Sequence, residues 1–144
     1  MKLYQALKKK KQIIGEISKL KHQITENNTV IKGNSRDYDV KPLFAKLEEK
    51  LTELVNLKSA IQKANTSVYD KIFRLSELKS FVDFLKGVPA KSGVHMERYQ
   101  EVAKEYVCEF DKKSIDTLIG DYEKEISNIQ EELEQFNYKK VITI

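Results

Sequence analysis

Apolar residues return every three or four positions along the start of the chain. Leu3, Leu7, Ile14, Ile17 and Ile24 form one stripe, which Ile13 and Leu20 widen. That is the period of an amphipathic helix, and it predicts a first helix over about 2–26. Lys10 and Lys21 interrupt the stripe, and a mid-helix glycine such as Gly15 costs up to ~1 kcal/mol relative to alanine. This helix therefore requires a packed partner. A second stripe, Val40, Leu43, Leu47, Leu51, Leu54, Leu57 and Ile61 with Phe44 beside it, predicts a helix over 41–65. Asp39 is placed to cap it, and Pro42 is tolerated in a first turn. Ile72, Leu75, Leu78, Val82 and Leu85 predict a third helix over 68–86. Ser67 with Asp70 resembles a capping box at its start, and Gly87 and Pro89 supply its stop. Phe73, Phe81 and Phe84 make it the most apolar segment of the chain.

The last helix, predicted over 113–136 with Asp111 or Ser114 as its cap, has the clearest pattern. Ile115, Ile119, Tyr122, Ile126, Ile129, Leu133 and Phe136 follow one another at spacings of four and three. Three unbroken heptads of this kind define a coiled-coil seam. The Val-Ile-Thr-Ile tail, 141–144, is apolar enough to be expected in a docked position. Between the helices, the β-branched run Thr29–Gly33 and the alternation of Tyr106, Cys108 and Phe110 predict two short strands, around Val30 and Cys108, pairing as a ribbon. Residues 87–95 read as a loop. The expected fold is mainly α, an antiparallel helical bundle or coiled coil of about four helices with a small two-stranded β element. It forms one domain over 1–144, with a loop and short strand inserted at 87–112.

Composition narrows the functional classes. The 144 residues include 26 Lys or Arg against 22 Asp or Glu, two His and one Cys. The single Cys108 excludes a disulfide framework, and the same counts exclude four-cysteine and two-cysteine–two-histidine zinc sites. No stretch approaches the ~18 apolar residues of a membrane span. Lys8–Lys11 sit where the apolar region of a secretory signal would begin. A soluble, cytoplasmic protein is expected. The overall charge of +4 hides a segregation: residues 1–32 carry eight Lys and two Glu, whereas 115–136 carry seven Asp or Glu and Lys124 alone. Complementary charge of this kind sets register and partner choice, so the first helix is expected to pair with the last, within one chain or between two.

Candidate chemistry is sparse. Lys8, Lys9, Lys10 and Lys11, with Lys19, suggest a polyanion contact. Four consecutive lysines nevertheless fan around roughly 300° of a helix, and Tyr4 is the only aromatic residue near them to stack a base. A solvated or helix-paired face is the simpler reading. Lys91–Ser92 lacks the preceding glycine and strand of a phosphate loop. His22 and His95 read as surface residues, Cys108 as an inert buried thiol on a strand. Glu131, Glu132 and Glu134 read as a solvated face without the Glu-x-x-His spacing of bundle metal sites. No catalytic, cofactor-binding or metal-ligating residue is predicted, and no cofactor.

Scattered positions over nearly the whole chain resemble the septicolysin-like family of small bacterial proteins: Met1-Lys2-Leu3 with Ala6-Leu7, Val30 with Gly33, Leu47, Leu51 and Leu54 leading to Ile61 and Asn65, Arg98-Tyr99, and Leu133 followed by Asn137-Tyr138. Gln62, Ala64, Glu134 and Tyr138 depart from that family's pattern. The resemblance implies a helical protein with a small β element, no established catalytic residues and, from the family's name, pore formation. The residues themselves lead to a non-enzymatic assembly module, a homo-oligomer self-associating through the last-helix seam. The alternatives are a nucleic-acid-associated protein using the basic first helix and a membrane-active one.

Overall fold

A computed structural model describes residues 1–96 and 102–144. The fold is mainly helical with one two-stranded antiparallel sheet. The elements run α1 (Leu3–Asn27), α2 (Val40–Ala64), a 3-10 turn (Asn65–Val68), α3 (Tyr69–Lys86), β1 (Gly93–Met96), β2 (Ala103–Tyr106) and α4 (Lys112–Lys139). They group into two compact units, one of residues 1–67 with 135–144 and one of residues 68–134.

The first unit is built on α1 and α2. Leu3, Ala6, Ile13, Ile17 and Leu20 pack against Leu47, Leu57, Ile61 and Ala64, with Ile142 completing the cluster. Leu3, Ile13 and Leu57 are the largest side chains fully withdrawn from solvent, and burying one such residue contributes about 1.5–3 kcal/mol. The helices are antiparallel, since Lys9 pairs with Glu53 and Glu16 with Lys50. The partner that Gly15 and the interrupted stripe of α1 require is therefore α2. The buried face of α1 is turned by about one residue from the expected stripe: Ile13 is inside and Ile14 lies in solvent. Because Lys10 and Lys21 share the Leu3–Ile14 side, rotation toward Ile13 and Leu20 moves their ammonium groups away from the centre of the contact.

The two chain ends close this unit. Leu3 N–H donates to the Lys140 carbonyl at 2.8 Å and Ile142 N–H to the Met1 carbonyl at 2.9 Å, around a Lys2–Val141 bridge. Ile142 is buried, Phe136 packs against the same core and Tyr4 lies 4.6 Å from Tyr138, centroid to centroid. The tail is thus docked. Between α1 and α2, Arg36 donates through Nε to the Asn27 carbonyl at 2.9 Å and through Nη2 to the Asn28 carbonyl at 3.2 Å. It places a cation on carbonyls that the end of α1 leaves without helical partners.

In the second unit, α3 turns Leu78, Val82 and Leu85 inward, with Ile72 and Leu75 half-buried. α4 contributes Ile115 and Ile129 as its buried residues. Lys71 meets Glu132, Arg74 meets Glu125 and Phe81 meets Tyr122, an order that makes α3 and α4 antiparallel. Asp111 caps α4: its Oδ1 accepts the Ser114 N–H at 2.7 Å.

Three local expectations are corrected. The ribbon joins Gly93–Met96 to Ala103–Tyr106, with Val94 opposite Glu105 and His95 opposite Lys104. Val30 lies in the loop after α1 and Cys108 beyond β2, so neither is in a strand. The expected loop at 87–95 instead ends in β1, which starts at Gly93 with φ +86°, a conformation glycine adopts without strain. Finally, Asp39 precedes α2 without a side-chain capping bond, and α3 starts after Val68 rather than Ser67, because the 3-10 turn carries the chain directly out of α2. The Arg98-Tyr99 pair lies outside the described residues.

Leu57→Ala is expected to lower the unfolding free energy by about 2–5 kcal/mol, the cost of a buried cavity. Ile14→Ala should change it by less than about 0.5 kcal/mol, as an exposed site does. Urea denaturation of the two variants beside the parent chain measures both.

Candidate functional site

The interhelical ion pairs join each charged helix to its sequence neighbour. On α1, Lys9 Nζ lies 2.7 Å from Glu53 of α2. Lys50 lies 2.8 Å from Glu16 and 3.2 Å from Glu53, and Gln12 donates to Glu16 at 2.9 Å. Lys50 and then Gln12 hold the Glu16 carboxyl below its ordinary pKa, Lys9 and then Lys50 do so for Glu53, and Glu16 and Glu53 raise the Lys50 ammonium. The acidic α4 is met by α3: Lys71–Glu132 and Arg74–Glu125 at 2.6 Å, and Lys86–Glu123 at 3.3 Å. Arg74 lowers Glu125, and Glu132 raises Lys71. The pairs between α1 and α2 thus match one lysine and one glutamate of α1, while three carboxylates of α4 pair with α3.

Of the five candidate polyanion residues, Lys9 is tied to Glu53. Lys8, Lys11 and Lys19 are exposed and Lys10 is half-buried, and these four make no ion pair among the described residues. The run fans around α1 without forming one face. The seam residues of α4 are largely covered within the single chain: Ile115 and Ile129 are buried, while Ile119, Tyr122, Ile126, Leu133 and Phe136 are half-buried. Phe136 serves the core of the first unit, and Tyr122 meets Phe81 edge-on at 5.1 Å in the second.

His22 is exposed beside Glu26, and His95 binds the Ser92 carbonyl at 2.7 Å. Cys108 is half-buried. Glu132 is held by Lys71. No group of three or more His, Cys, Asp or Glu among the described residues is placed to hold a metal ion. No described helix is long and apolar enough to cross a membrane.

What the structure leaves open is apolar surface on two helices. On α3, Phe73 is 63% exposed and Phe84 62%, with Phe81 exposed beside them. Phe73 and Phe81, with Tyr122, line a hollow of about 490 Å³. On α2, Phe44, Leu51 and Val55 are exposed, Val55 by 65%, and Phe44 borders a hollow of about 510 Å³ beside Ile24 and Val40. Leu51 belongs to the stripe expected to face inward, and Phe44 stands beside it. A signal for the α3 face is present in the sequence: 72, 75, 78, 82, 85 and 73, 81, 84 are two separate stripes at helical spacing, and one neighbour covers only one of them.

The chain is a mainly helical scaffold with apolar side chains exposed on α2 and α3. Residues 10–142 match a family of unknown function, DUF6847, and the chain belongs to that family. This match replaces the septicolysin-like membership that scattered residues suggested, and the pore formation implied by that name goes with it. No curated protein matches the chain. Its fold is similar to the crystal structure of a functionally unknown conserved protein from Corynebacterium diphtheriae, with a TM-score of 0.76 and 17% identity over 99% of each chain.

The charge pairs define a pH window. Glu16, Glu53, Glu125 and Asp111, the last bound by the Ser114 N–H, all have lowered folded-state pKa values. Their contribution is complete above the unfolded carboxylate values near about 4 and disappears as pH falls through the lower folded values. Lys50 and Lys71 are raised, so theirs is complete below about 10 and lost as pH rises through the folded values. Thermal melts from pH 3 to 11 are expected to show a plateau between, with acid-limb losses that shrink in high salt because the pairs are solvent-screened.

Proposed function

We propose that this protein is a non-enzymatic helical interaction module that associates with copies of itself. The observation that carries the reading is the outer face of α3, where Phe73, Phe81 and Phe84 stand in solvent on a helix whose opposite face is already packed. Contiguous exposed aromatic surface marks sites of association, and aromatic residues are enriched among the anchors that dominate interface energy. The role first given to the heptad seam of α4 passes to α3 in this reading. Seam residues 115–133 hold α4 to its own chain and leave the outer side of the α3–α4 pair to meet a second copy.

A second reading, contact with nucleic acid, draws on Lys8, Lys11 and Lys19, which are exposed on α1 and make no ion pair among the described residues. It lacks an aromatic platform beside the lysines other than Tyr4, and the self-association reading is favoured over it.

Light scattering on a sizing column, over a concentration series and at low and high salt, tests the proposal. The parent chain is expected to run as an oligomer that dissociates on dilution. Phe73→Ser with Phe84→Ser should run as a monomer with unchanged helical circular dichroism. A parent chain that is monomeric throughout overturns the proposal. With seven Tyr and no Trp in the chain, retained nucleic acid shows as excess absorbance at 260 nm. Excess that disappears with salt in a monomeric sample favours the lysine reading instead.

A further inference from the structure

We infer that self-association is heterologous: the aromatic face of α3 on one copy docks on the exposed Phe44–Leu51–Val55 face of α2 on another. The inference rests on the self-association proposed above and names its two surfaces.

Charge separates the two faces. The unit of residues 1–67 with 135–144 carries sixteen Lys or Arg against seven Asp or Glu, a formal +9. The unit of residues 68–134 carries ten against fifteen, a formal −5. The same polarity holds around the stripes. Asp70 and Glu77 are exposed around the α3 aromatics. Lys71, Arg74 and Lys86 of that helix are committed to α4 carboxylates. Lys79 falls on another side of the helix at about 100° per residue. The α2 stripe has Lys41 three residues before Phe44 and Lys58 three residues after Val55, both exposed, with Glu48 between them.

Pairing two α3 faces would oppose Asp70 and Glu77 with their own copies within two −5 units. Pairing two α2 faces would set the lysines at its ends among like charges of two +9 units. Only the mixed pairing brings opposite fields together, and opposed potentials select partner and register while like-charge juxtaposition rejects the wrong one.

The faces also match in size. Phe73 to Phe84 and Phe44 to Val55 are each separated by eleven residue steps, about 16 Å at the helical rise. Each stripe adjoins a hollow of similar volume, about 490 Å³ at α3 and about 510 Å³ at α2. Each face thus offers projecting side chains and space to receive them, the requirement for ridges to seat in grooves.

The test is complementation by mixing. One variant, Phe73→Ser with Phe84→Ser, loses the α3 face; the other, Leu51→Ser with Val55→Ser, loses the α2 face. All four positions are exposed, and circular dichroism and urea midpoints confirm that each variant is folded. Each variant alone should associate at least about thirty-fold more weakly than the parent, the loss typical of truncated interface anchors. An equimolar mixture should recover a complex of two chains, because each variant retains the face the other lacks. If the α2 variant associates like the parent, or if two deficient variants fail to complement, the heterologous pairing is wrong while self-association stands. A parent chain that never associates removes both.

Discussion

The antiparallel seam between α1 and α2 is the contact on which the first unit depends. Neither helix is self-sufficient. α1 carries Gly15 at its centre and Lys10 and Lys21 within its apolar stripe, so its stability comes from Ile13, Ile17 and Leu20 against Leu47, Leu57 and Ile61. Once that face is fixed, the rest of the unit has few choices. Leu3 and Ala6 lie at the start of the seam and require cover there, which Ile142 supplies. The backbone bonds from Leu3 to Lys140 and from Ile142 to Met1 satisfy polar groups that this cover would otherwise strand. The end of the chain is therefore part of the core, and residues 135–144 belong with the first helix rather than with the remainder of α4.

Charge works at shorter range than the sequence pattern suggests. A basic first helix and an acidic last helix look made for each other, yet the interhelical ion pairs that each forms are with its sequence neighbour. Lys9 and Glu16 find Glu53 and Lys50 on α2, while Glu123, Glu125 and Glu132 find Lys86, Arg74 and Lys71 on α3. Apolar seams decide which helices meet; exposed ion pairs then fix register, since each contributes too little to choose a partner against a buried core.

That division explains what was legible in the residues. The four helices follow from three- and four-residue spacing, and their stops from Asn27-Asn28, Asn65 and Gly87. The inward residues of α3, from Ile72 to Leu85, are readable because an apolar residue stands at every three- or four-residue step. The buried side of α1 was misplaced because Ile13 and Ile14 are adjacent and only the partner chooses between them. The strands were misplaced for a different reason. The ribbon's apolar residues, Val94 and Met96, alternate over only four positions, too few to compete with the longer β-branched run at Thr29–Gly33. That run in turn has no second strand beside it and remains loop. The candidate surface was the least legible: Leu51 lies on a perfect helical stripe, but the stripe is wider than α1 can cover, so its edge is left in water.

The outer face of α3 poses the remaining physical question, because the fold does not need it. Ile72, Leu75, Leu78, Val82 and Leu85 already give α3 a complete inward stripe, and three ion pairs fix its register on α4. A lysine or glutamate at position 73 or 84 would cost the packed side nothing and would keep the surface solvated. Phe73 and Phe84, by contrast, stack on Tyr69 and Phe81 of their own helix at 5.6 and 6.0 Å between ring centroids and still leave most of their area in water. This second apolar face, which the packing of α3 on α4 does not require, is the surface that the proposed self-association uses. In the proposed pairing a second copy covers that surface: Arg74 beside the aromatics is held by Glu125, Glu77 lies among them, and a second apolar stripe of equal length lies on the positively charged unit.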